Sequence, residues 1–106
     1  MTTEFRFAPL DWTPENAREL ARQESLALAE DHWVLLRALQ EFFARHDEVA
    51  INMRELQDAL EEKFHHKGGM KYLFTLFPAG PIAQGCRLAG LKAPTGATDT
   101  SFGSVA

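Results

Sequence analysis

The chain is poor in the residues on which much protein chemistry depends, and each scarcity removes a class of function. There is one cysteine, Cys86, in 106 residues, so no internal disulfide can form, and the composition fits a reducing compartment, with a cytoplasmic location expected. No apolar run approaches the roughly eighteen residues that a membrane span requires, and the opening Met-Thr-Thr-Glu-Phe-Arg does not lead into a signal-type apolar stretch. There is no glycine-rich phosphate loop, no serine on a sharp strand-to-helix turn and no carboxylate pair set beside a base. The four histidines do not make a metal site: His65 and His66 are adjacent and point apart on a helix, while His32 and His46 lack companions at ligand spacing. No metal and no cofactor are expected.

What is present is enough for one domain. Hydrophobic residues make up 45% of the chain, with eight Phe and two Trp to fill a modest core. The formal net charge of −4 argues against a general nucleic-acid binder, but the charge is unevenly spread. Residues 1–50 hold ten acids against five bases, whereas Lys63, Lys67, Lys71, Arg87 and Lys92 span a stretch with no acid at all. That basic third contains Cys86.

The elements read out in order. Phe5-Arg6-Phe7 alternates like a short strand, one arm of a small hairpin or a packed extended segment. Thr13-Pro14-Glu15 starts a helix that runs to about Glu24, with Thr13 as N-cap and Pro14 in the first position. Ser25 to Leu28 links it to the longest helix, Glu30 to His46, whose inward stripe is read as Trp33, Leu36, Leu39 or Gln40, and Phe43. That helix has only Ala29 at its cap position, leaving Glu30 and Asp31 to answer the dipole. A turn over 47–51 leads to Asn52, whose neighbours Met53-Arg54-Glu55 have the residue types of a capping box. The helix from Met53 to about His66 carries Leu56, Leu60 and Phe64 inward, and Gly68-Gly69 breaks it. Leu73, Leu76 and Phe77 mark the next helix, which the following Pro78 ends. Pro81 then opens a short helix to Ala89 that holds Cys86 and is capped by Gly90. The expectation is a mainly α protein, an orthogonal bundle of about five helices with a possible hairpin at its start, as a single domain over residues 1–96 with a flexible tail over 97–106.

Cys86 has two readings: a buried small side chain, or a working thiol flanked by the bases Arg87 and Lys92. Nearby positive charge lowers a thiol pKa and a helix C-terminus raises it, and the sequence does not rank the two. Lys63, Lys67 and Lys71 recur every four residues across the Gly68-Gly69 break, so they need not share a face. Together with Arg87 and Lys92 they form either a solvated surface or a docking patch for an acidic partner or a small oxyanion.

The run KYLFTLFPAGPIAQGCRLAGLKAPTGA, from Lys71 to Ala97, resembles the end of the DsrC/TusE family, KYLYxLFPxGPxKQAxKIAGLPKPTGC plus one last residue. Upstream, His32-Trp33 matches that family's HW at the start of its long helix, and the resemblance covers roughly residues 10–97. It implies a small cytoplasmic protein of sulfur metabolism whose partners are sulfur-relay proteins or a sulfite-reductase-like complex. In the sulfur-carrying members the working thiol is the penultimate residue of a mobile C-terminal arm. Here that position is Ala97 and the chain runs on for nine more residues, while Cys86 stands where some members carry a second, accessory cysteine. Three functions follow from the resemblance: an adaptor or regulator that docks on sulfur enzymes without an arm thiol, a persulfide carrier working through Cys86, and a regulator using a helix-turn-helix-like pair that begins at Asn52. The site residues it implies are Cys86 as the carrier, with Arg87, Lys71, Lys67 and Lys92 for partner or anion binding.

Overall fold

The structure, a computed structural model, describes residues 5–46 and 51–94. Among the described residues the elements are α1 (Pro14–Gln23), α2 (Glu30–Arg45), α3 (Met53–Lys63), α4 (Gly69–Leu76) and α5 (Pro81–Ala89), with a single 3-10 turn at His65–Lys67 between α3 and α4. The all-α class is as expected. Residues 97–106, taken as a tail, lie outside the described residues, as does most of the turn before Asn52.

Each helix is punctuated by the residue its geometry demands. Thr13 Oγ1 accepts from Asn16 N and Asn16 Oδ1 accepts from Thr13 N, a reciprocal box that fixes the start of α1. α1 ends in a Schellman turn: Leu26 N donates to Ala21 O at 2.8 Å and Ser25 N to Arg22 O at 3.1 Å. This turn places Ser25 at φ 57°, in the left-handed region that usually favours glycine. Asn52 Oδ1 receives both Arg54 N and Glu55 N at the start of α3.

Three expectations are corrected. Phe5-Arg6-Phe7 is a turn, closed by Ala8 N donating to Phe5 O, and no strand is found among the described residues. Phe5 is folded against two indoles, its ring centroid 4.9 Å from Trp12 and 5.8 Å from Trp33, so ring packing supplies what strand pairing would have supplied. The inward stripe of α2 is His32, Leu35, Leu36, Leu39 and Gln40, with Trp33 and Phe43 at its half-buried edge. The stripe is rotated because α2 is covered mainly by α5, which packs across it more extensively than any other pair of helices. Finally, α3 stops at Lys63, not near His66, because Lys67 N and Gly69 N both turn back to Phe64 O and tighten the exit into a 3-10 turn.

The core joins all five helices, with Leu35, Leu36, Leu39, Leu56, Leu73 and Phe77 at its centre. α5 is the element it closes around: every residue from Pro81 to Ala89 except Arg87 is buried. Close approach to α2 is what Gly85 permits, since a Cβ there would sit 2.8 Å from Leu39 Cδ1.

Candidate functional site

α5 carries the one thiol, and the way the helix is anchored decides what that thiol can do. Its first turn begins with Pro81 in the position where a missing N–H costs nothing. Its last four carbonyls, which a helix leaves open, are all taken. Leu91 N donates to Cys86 O at 2.8 Å and Gly90 N to Arg87 O at 3.4 Å. The Trp12 indole Nε1–H donates to Leu88 O at 2.8 Å, and Gln40 Nε2 donates to Ala89 O at 2.9 Å. Gly90 stands at φ 79°, which allows the cap, and a Cβ there would meet Trp12 Cδ1 at 2.8 Å.

Cys86 faces inward. Its side chain has no solvent exposure and belongs to the main core cluster. Burial pushes its thiol up to about 12, because a thiolate in that apolar setting would forgo hydration without gaining a partner. Arg87, one residue on and a hundred degrees round the helix, is directed elsewhere. Its guanidinium meets Glu24 at the end of α1 through Nε at 2.8 Å and Nη2 at 2.9 Å, a two-pronged contact with a partly buried carboxylate. The same Glu24 accepts from Gln84 Nε2 at 2.8 Å, and Gln84 Oε1 accepts from Ala79 N. Arg87 is therefore part of the clamp between α1 and α5.

The remaining site residues from the sequence are dispersed over separate elements. Lys67, in the 3-10 turn, places Nζ 2.9 Å from Asp31 Oδ2 at the start of α2. The Tyr72 hydroxyl donates to the same oxygen. The two hydrogen bonds, Tyr72 first, hold the Asp31 carboxyl below its usual range, and Asp31 in turn raises Lys67. Lys71 on α4 and Lys92 beyond α5 are exposed.

His32, which the sequence marked only as lacking metal-ligand companions, is a helix cap. Ala29 N donates to its Nδ1 at 3.0 Å, so the ring is neutral with its proton on Nε2, which donates to Leu76 O at 2.9 Å. One imidazole thus closes the start of α2, where Ala29 has no side chain to do so, and the end of α4. Burial lowers its pKa, only partly offset by the Leu76 contact and the nearby Asp31.

Two open grooves flank the end of α5. One, of about 620 Å³, lies among Leu10, Asp11, Trp12, Glu19, Leu20 and Arg87; the other, of about 320 Å³, lies among Phe7, Gln40, Phe43, Ala44, Leu91 and Lys92. Pro9 and Gly90 border both. Among the described residues no group of three His, Cys, Asp or Glu side chains could hold a metal ion, and no helix is long and apolar enough to cross a membrane. Glu24, Gln40 and Trp12 were not singled out from sequence as parts of this region. Only Trp12 left a signal, since a buried indole N–H calls for an acceptor.

The fold and the anchored α5 define a small helical bundle whose sole thiol is enclosed. Residues 2–98 match the family described as "DsrC like protein", and the chain belongs to that family. Among the similar proteins are two named Sulfurtransferase TusE. That of Buchnera aphidicola is 35% identical over 86 residues, covering 80% of this chain and 75% of the relative. That of Photorhabdus laumondii is 38% identical over 85 residues, covering 79% and 76%. The solution NMR structure of DsrC from Allochromatium vinosum superposes with a TM-score of 0.68 at 42% identity, over 83% of this chain and 79% of that one.

Proposed function

We propose that this chain is a docking protein of sulfur metabolism, an adaptor or regulator that engages a sulfur-relay protein or a sulfite-reductase-type complex without carrying sulfur itself. The observation that carries this reading is the state of Cys86: the only cysteine is sealed in the core, with its thiol pushed up to about 12. A thiol held in its neutral form by burial is a poor acceptor of sulfane sulfur, because the thiolate is the nucleophile. At the arm position, where the resemblance implies the delivering thiol, the sequence has Ala97. The exposed bases Lys71 and Lys92 suit an acidic partner surface, while Lys67 and Arg87 are engaged by Asp31 and Glu24.

Intact-mass spectrometry after incubation with a persulfide donor, with Cys86→Ser as control, tests the reading directly. The expected result is no gain of a sulfur mass and slow alkylation at pH 8 that becomes rapid on denaturation. A gain of one sulfur that the variant loses would overturn it in favour of a Cys86 persulfide carrier. The docking half is tested by affinity capture of sulfur-relay proteins, with Lys71→Glu expected to weaken capture and added salt to do the same. Failure to recover any such partner would remove that half.

A further inference from the structure

The turn over residues 9–12 displays a side chain that neither its local chemistry nor the core explains. Trp12 N donates to Pro9 O at 3.1 Å, which puts Leu10 and Asp11 at the two central positions. Such positions favour Pro, Gly, Asn, Asp or Ser, and Asp11 suits its place. Leu10 does not, and at 86% exposure it is the most exposed large hydrophobic residue among the described ones. The turn is also held stiffly. Pro9 restricts the backbone on one side, and on the other the buried Trp12 is pinned by its indole N–H to Leu88 O and by ring contact with Phe5. A leucine presented on a fixed turn is pre-organised for contact, because little conformational freedom remains to be lost on binding.

The larger groove, of about 620 Å³, is lined by this turn and specifies what fits against it. Pro9, Leu10, Trp12 and Leu20 supply an apolar lining that suits an aliphatic side chain. The charges at the groove have one sign left over. Glu19 is paired with Arg22 and Arg87 with Glu24, so those largely offset one another, whereas Asp11 forms no ion pair among the described residues. Gly90 brings the C-terminal end of α5 to the same groove, and a helix C-terminus carries partial negative charge. We infer that this turn and groove are a docking site for a segment of a partner protein in which an aliphatic side chain stands beside a lysine or arginine. The aliphatic group packs on Leu10, Trp12 and Leu20, and the base pairs with Asp11. An acidic segment meets the same negative groove and is disfavoured. None of these residues is among the exposed bases Lys71 and Lys92 offered to an acidic partner, so the chain presents two surfaces of opposite sign, as a protein that joins two others requires. The inference stands whether or not those bases dock, and whether or not Cys86 handles sulfur.

The test titrates the full ¹⁵N-labelled chain with blocked peptides built on the repeat Lys-Leu-Ser, with Glu-Leu-Ser and Lys-Ser-Ser repeats as controls, and reads ¹H–¹⁵N shifts. The expected result is saturable shifts centred on Leu10, Asp11, the Trp12 indole, Leu20 and Gly90 with the first peptide, and much weaker ones with either control. Asp11→Asn should weaken binding about threefold, the size of one exposed charge pair, and Leu10→Ser at least as much. Asp11→Lys should reverse the preference toward the Glu-Leu-Ser repeat. Both positions are exposed, so the fold is expected to survive, and Asp11→Asn keeps a turn-forming residue should the lysine disturb the turn. Shifts scattered over the surface, shifts equal for the basic and acidic peptides, or binding indifferent to Asp11→Asn and Leu10→Ser overturn the proposal. So do shifts at these same residues on raising the concentration of the chain alone, since that would make a second copy the occupant.

Discussion

His32 shows how much one side chain can be asked to do when the backbone around it offers no substitute. It accepts from the Ala29 N–H and donates to the Leu76 carbonyl, and only the neutral ring can do both. Its pKa is lowered by burial, so the unfolded chain binds the proton more readily than the folded one. The sign follows: this contribution to stability is fully present above the ordinary histidine value of about 6.5 and is lost as pH falls from there toward the depressed folded value. Urea titrations at pH 7.5 and 5.5 are expected to show a lower midpoint at the acid end. His32→Leu is expected to cost about 2 kcal/mol at pH 7.5, by leaving two backbone groups without partners, and to reduce that pH dependence. Cys86 sits at the other extreme, since its side chain is packed in the core as a small apolar group. The two readings open in the sequence, packing residue or working thiol, turn on which way a helix faces, and that depends on how α2 and α5 meet, which no local spacing reveals.

At the scale of the element, punctuation was the most legible feature of the sequence. Thr13, Pro14, Asn52, Pro81 and Gly90 each occupy the helix-boundary position that their chemistry suits, and the helices they bound appear where those residues predict. The misreadings arose where tertiary contact overrode local pattern. The alternation of Phe5 and Phe7 suggested a strand, but Phe5 packs on two indoles from distant positions instead. Gly90 combines both kinds of constraint, a positive φ and an indole at its Cα. Gly90→Ala is expected to lose about 1–2 kcal/mol from the left-handed backbone alone, and more from contact with Trp12, read as a lower urea midpoint with altered tryptophan emission. The opposite sign is expected at Ser25, which already pays for a left-handed turn: Ser25→Gly should raise the midpoint, by about 0.5–1 kcal/mol.

For the whole molecule, the organising contact is between residues far apart in the chain. Glu24 joins α1 to α5 through Arg87 and Gln84, across separations of 63 and 60 residues, and nothing in the sequence near Glu24 announces it. The basic third of the chain was plain from sequence, but its acidic counterparts were not: Arg87 and Lys67 find Glu24 and Asp31 from the acidic first half. Glu24→Gln keeps the shape and removes the charge. Because the pair is partly exposed, the expected loss is about 1 kcal/mol, accompanied by faster amide exchange at the end of α1. The burial of α5 carries a consequence for the sequences this fold can accept. A helix with eight of nine residues inside, glycine pressed on its neighbour and a glycine cap against an indole has almost no position at which change is free. In a library sampling every substitution, residues 81–90 should stand out as the longest intolerant block of the described chain, and variation among functional descendants should collect on the exposed faces of α1 and α3.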